Sequence, residues 1–160
     1  MTPLEPLMSL LAQTERERDA VQAEAQRAAN AHVQALEQLE QLLGYRRDYE
    51  ARWSHQFRQQ ATMDVMHCYQ GFTVRLGQAV EQQQRTVELA AQRSERERAR
   101  LTEHEIRVAS VRRLIERRTA EMQRNAERRD QKQTDEFAAR AGWSRLHGRG
   151  GSMMSASTLP

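Results

Sequence analysis

Apolar residues return along this chain every seven positions, in alternating steps of three and four. In the first third, one set falls at Leu4, Leu11, Arg18, Ala25, His32, Leu39, Arg46 and Trp53, and a partner set at Leu7, Thr14, Val21, Ala28, Ala35, Leu42 and Tyr49. A repeat of this kind, sustained over so many turns, predicts a coiled-coil helix with Arg18, His32 and Arg46 as polar interruptions of its seam. The pattern resumes at Val80, Val87, Ser94, Leu101, Val108, Ile115 and Met122, accompanied by Leu76, Gln83, Ala90, Glu97, His104 and Val111. Each helix carries one narrow apolar stripe, and folding the chain back on itself buries both. The predicted fold is all-α, an elongated antiparallel two-helix coiled-coil hairpin with a projecting C-terminal helical arm.

The expected boundaries follow from the punctuation of the chain. "TPLE" can form a capping box with Thr2 as N-cap and Pro3 at the first helical position, although Pro6 moves the expected start toward Glu5 or Pro6. Helix 1 is expected over about 4–58, a turn over about 57–64 with Thr62 as N-cap, and helix 2 over about 63–141. Gly142 can end the second helix, leaving a single coiled coil over 1–141 and a flexible tail over 142–160 with the Gly and Ser content of a linker.

Matching apolar to apolar across the hairpin selects a register in which paired residue numbers sum to 122. Leu7 then meets Ile115, Val21 meets Leu101, Ala35 meets Val87 and Leu42 meets Val80. A slip of one heptad would set Leu11 against Arg118 and Arg46 against Gln83. In the preferred register residue 4 meets residue 118, so residues 119–141 have no partner within the chain.

Composition agrees with the pattern. Leu, Ile, Val and Phe make up only 27 of 160 residues, too few for a broad core, whereas Ala, Glu, Lys, Leu and Arg make up 77, the balance of long helices. The three prolines are Pro3, Pro6 and Pro160, so the long middle of the chain is free of the strongest helix breaker. Charge is uneven: residues 1–60 carry 7 basic and 9 acidic side chains, residues 107–149 carry 12 and 6. The basic part is the arm. Cys68 is alone, the N-terminal stretch has no positive residue before Arg16, and no apolar run approaches the ~20 residues that cross a bilayer. A cytoplasmic protein without disulfides, secretory signal or membrane span is expected.

Catalysis has no constellation to rest on. The five histidines are scattered and no strand or Gly-rich loop is predicted, so neither an enzyme nor a cofactor is expected. Asp64, His67 and Cys68 share a helical face but lack further ligands, so no metal is expected either. The basic arm could neutralise phosphates, but its arginines alternate with Glu116, Glu121, Glu127, Asp130, Asp135 and Glu136, the interleaving of a solvated helix. A basic scaffold or nucleic-acid-binding coiled coil is the alternative from a different class.

"LEQLLGYRRDYEARW", residues 39–53, sets Tyr45, Tyr49 and Trp53 four residues apart amid charge. Gln38, Leu42, Tyr45 and Tyr49 step by 4, 3 and 4, as do Phe72, Leu76, Ala79 and Gln83, and paired antiparallel their numbers sum to 121. Leu42, Tyr49, Leu76 and Gln83 are seam positions. Gln38, Tyr45, Phe72 and Ala79 flank the seam on one side of the hairpin, where an aromatic is half covered and can either widen the core or face a partner.

"LMSLLAQTERERDAVQAEAQRA", "LEQLEQLLGYRRDYEARW", "YQGFTVRLGQAVEQQQ" and "RRDQKQTDEFAARA" together resemble the flagellar type III export protein FliJ family over residues 4–141. The resemblance implies a non-enzymatic, stalk-like coiled coil that links the export ATPase ring to the cytoplasmic part of the export gate and to export chaperones, peripheral to the inner membrane. It implies an export-gate-binding set at Gln38, Leu42, Tyr45, Tyr49, Phe72, Leu76, Ala79 and Gln83. An ATPase-binding set is expected on the basic arm at Arg124, Arg128, Arg129, Lys132 and Phe137. The equivalent stalk of a virulence secretion system is the alternative within the class.

Overall fold

The computed structural model describes residues 4–59 and 62–148, and all of their regular structure is helical. Helix α1 spans Glu5–Phe57 and helix α2 spans Met63–Gly148. The two long helices pack against each other as an all-α hairpin. The chain divides into two compact units, one of Ser9–Ser110 and one formed by the start of α1 through Met8 with α2 from Val111 onward.

The ends of the helices have local causes. The Leu4 carbonyl accepts from the Met8 amide at 2.9 Å, which makes Leu4 the N-cap, Glu5 the first helical residue and Pro6 the second, where its missing N–H costs nothing. The proposed cap at Thr2 and Pro3 lies outside the described residues. Thr62 stands at the N-cap of α2, its carbonyl accepting from Met66 at 3.1 Å. At the end of α1 the Gln59 amide donates to the Gln56 carbonyl at 3.1 Å, tightening the last turn before the reversal.

In the Ser9–Ser110 unit the core is one seam. Its buried residues are Val21, Ala28 and Ala35 from α1 and Leu76, Val80 and Val108 from α2, all at heptad positions of the repeat. Two of the six are alanines, so the seam stays thin, and a large apolar side chain buried in it contributes roughly 1.5–3 kcal/mol. The register is that of the paired sums: Tyr49 packs at a tilt against Phe72 with ring centroids 4.1 Å apart, Trp53 likewise against Tyr69 at 5.3 Å, and the Gln83 side chain donates to the Gln38 Oε1 at 3.2 Å. Polar seam residues turn toward partners at its edge. The Arg18 Nε meets the Asp19 carboxylate at 2.8 Å, and Gln83 also donates to the Ala35 carbonyl oxygen at 2.9 Å.

In the second unit, Leu4 and Leu7 face Leu114, Arg118 and Met122 around a hollow of about 450 Å³ that reaches Asn125. From residue 121 to residue 140 every side chain of α2 is exposed. Gly142 does not end the helix where the sequence predicts its end. It lacks the positive φ of a left-handed cap, and α2 runs on to Gly148. Contacts between successive turns support this extension: Trp143 stacks on His147 at 4.4 Å, and Arg145 Nε reaches the Ala141 carbonyl at 3.5 Å. The predicted tail beyond residue 148 lies outside the described residues.

Candidate functional site

The hairpin reversal gathers aromatic side chains because both seam lines run into it. Tyr49, Trp53 and Phe57 follow one another at four-residue intervals on α1, and Tyr69 and Phe72 enter from α2. Tyr49 lies 5.9 Å from Tyr69, Trp53 lies 5.3 Å from Phe57, and Phe57 meets Tyr69 edge-on at 5.2 Å. All five rings are half-buried, a covered cluster at the turn-proximal end of the seam.

Tyr45 is the exception. It belongs to the same four-residue series but makes no ring contact and is 62% exposed. The cause is its heptad position: Tyr49 and Trp53 fall on the seam, whereas Tyr45 falls on the flank. It borders a small hollow with Asp48, Tyr49 and Arg52. The expected set therefore divides. Leu76 is buried; Leu42, Tyr49, Phe72, Ala79 and Gln83 are half-buried; Gln38 and Tyr45 are exposed. Phe72, placed by the pattern beside Tyr45, leans onto Tyr49 and is part of the cluster. Tyr69, outside the expected set, stands one heptad step before Leu76 on the same seam line.

The arm presents a different chemistry. Arg124, Arg128, Arg129, Lys132 and Phe137 are all exposed, Phe137 at 77%. The expected pairing of these cations with neighbouring carboxylates does not form. Arg124 Nε donates to its own helix at Ala120 O, 3.4 Å away, the Asp135 carboxylate accepts from Gln131, and Thr134 donates to the main-chain carbonyl of Asp130. Arg128, Arg129 and Lys132 make no ion pair among the described residues. The arm is thus a row of unneutralised charge on a helix without a covering partner.

Among the described residues no group of three His, Cys, Asp or Glu side chains could hold a metal, and Asp64, His67 and Cys68 are all exposed. No helix is long and apolar enough to cross a membrane. The two surfaces consist of protruding side chains on a helical scaffold, which defines the chain as an α-helical hairpin suited to protein–protein contact. The match to the Flagellar FliJ protein family covers residues 3–147, and the chain belongs to that family, whose members are non-enzymatic components of flagellar type III export. No curated protein and no solved structure is a significant match to it.

Proposed function

We propose that this protein is the stalk of a flagellar export apparatus, linking the export ATPase ring to the cytoplasmic part of the export gate and to export chaperones, in the cytoplasm at the inner membrane. The observation that carries the reading is Tyr45, an aromatic held 62% exposed on the flank of a packed aromatic cluster. Its backbone is fixed by the helix turn it shares with Tyr49, whose ring packs against Phe72, so only the side-chain rotamer of Tyr45 remains to be ordered on docking. Gln38 beside it adds an exposed amide, and Leu42, Leu76 and Ala79 shape the ground on which both stand. At the other surface, Arg124, Arg128, Arg129 and Lys132 with Phe137 suit an acidic face with an apolar notch, as expected of the ATPase contact.

Gate binding and thermal melting measured on Tyr45→Ala, Gln38→Ala and Leu101→Ala test this reading. Leu101 is a seam residue remote from the cluster and serves as the control. The stalk function requires Tyr45→Ala to weaken binding to the gate's cytoplasmic part at least tenfold with an unchanged melting curve, and Leu101→Ala to melt early while binding normally once folded. Normal gate binding by Tyr45→Ala removes the proposed site.

A further inference from the structure

The Ser9–Ser110 unit has a second flank, on the side of the seam away from Tyr45. Gln22, Ala29 and Leu36 recur there one heptad apart on α1, with Val33 beside them, and Gln84, Ala91 and Arg98 recur on α2. A groove of about 320 Å³ lined by Gln22, Ala29 and Leu101 together with Arg98 shows that these two lines share one side. Val33 is 51% and Leu36 44% exposed, so the flank is apolar in its middle. Its outer edge is acidic. Glu81, Glu88 and Glu95 stand one heptad apart, three residues before Gln84, Ala91 and Arg98, and all three are exposed and make no ion pair among the described residues.

The other unit holds the complement. Arg113, Arg117, Arg124 and Arg128 step by 4, 7 and 4 along α2, which keeps them within about 60° of one another on the helix. All four are exposed, and none makes an ion pair among the described residues. From Glu81 to Glu95 the acidic edge covers fifteen residues, roughly 21 Å of helix rise, and from Arg113 to Arg128 the basic stripe covers sixteen, roughly 22 Å. Equal length and opposite charge, with an apolar strip beside the acidic edge, select the occupant.

We propose that two copies of this chain associate, the Arg113–Arg117–Arg124–Arg128 stripe of one lying along the Glu81–Glu88–Glu95 edge of the other. Each pair is solvent-exposed and individually weak, so the association is weak and sharply salt-dependent. Arg124 and Arg128 also belong to the surface assigned to the ATPase, but self-association needs no ATPase and stands or falls without it.

Sedimentation of the full chain in a Cys68→Ser background, at an ionic strength of roughly 0.01 M and again at roughly 1 M, tests the contact. The average mass should rise toward twice the monomer's at low salt and return to the monomer's at high salt. Reversing the edge (Glu81→Arg, Glu88→Arg, Glu95→Arg) or the stripe (Arg113→Glu, Arg117→Glu, Arg124→Glu, Arg128→Glu) should each abolish association, and combining both sets on one chain should restore it. Rescue by the combined chain distinguishes pairing from a general effect of net charge. Should a reversal lower the melting temperature, the corresponding Gln substitutions replace it, with loss of association again expected. A chain that stays monomeric at low salt overturns the proposal, as does association that survives either reversal or a combined chain that fails to recover. An edge that instead captures a basic helix of another protein, or a stripe that captures nucleic acid, would appear as a monomer here and so counts against it.

Discussion

The Gln83 side-chain amide donates to the Ala35 carbonyl oxygen at 2.9 Å, across forty-eight positions of sequence. The same nitrogen lies 3.2 Å from Gln38 Oε1, so a polar residue in an apolar seam is satisfied by the opposite helix at two points. A shift of one heptad would leave a backbone carbonyl within reach but replace the Gln38 amide with Ala31 or Tyr45. Gln83 therefore contributes to register as well as to stability, the use for which an isolated polar seam residue is best attested.

Replacing Gln83 should show this division. Gln83→Ala should lose about 1 kcal/mol in denaturant unfolding, the net worth of the cross-helix hydrogen bonds. Gln83→Leu should recover that loss, since the seam slot is apolar and the Ala35 carbonyl keeps its own helical donor.

Register itself can be trapped. With Cys68 changed to Ser, the double variant Leu42→Cys and Val80→Cys should oxidise readily to an intramolecular disulfide, because the register fixed by Tyr49 on Phe72 and Gln83 on Gln38 sets those positions opposite each other, whereas Leu42→Cys with Val87→Cys should not. Electrophoresis under non-reducing conditions reads the result. The reverse yields would mean a seam slipped by one heptad.

The aromatic series should separate by exposure. Tyr49→Ala removes the ring that touches Trp53, Tyr69 and Phe72, and should lower stability by about 2 kcal/mol and shift the Trp53 fluorescence. Tyr45→Ala removes an exposed ring without ring contacts and should change stability by less than ~0.5 kcal/mol.

Gly77 lies within α2 with open space where a Cβ would stand, and its φ is not positive. Gly77→Ala should therefore stabilise the hairpin by roughly 0.5–1 kcal/mol by restricting the unfolded chain, measurable as a higher denaturant midpoint with an unchanged slope. A loss of stability would mean that this position is closed against a neighbour.

Reversing Arg124, Arg128, Arg129 and Lys132 to Glu should weaken binding to the export ATPase at least tenfold while leaving the melting curve in place, since among the described residues none of these side chains has a partner apart from the Arg124 contact to its own helix. Surface plasmon resonance at two salt concentrations would check it, and ATPase affinity that does not move would remove the arm from that interface.

The sequence by itself determined the two helices, their antiparallel pairing and the seam. All six buried residues stand at heptad positions of the repeat, and Tyr49 with Phe72 meets where the numbering places them. In a two-helix seam one integer sets every layer, so the linear pattern of apolar residues is enough. The same pattern separates Tyr49 in the seam from Tyr45 on the flank. Only the tertiary structure decided that Phe72, a flanking residue like Tyr45, leans onto Tyr49 and joins the cluster while Tyr45 stays 62% exposed. It also decided that the arm's cations stay unpaired and that α2 continues past Gly142. Those outcomes depend on rotamers and on contacts between successive turns, such as Trp143 on His147, that a residue's type and spacing permit without requiring.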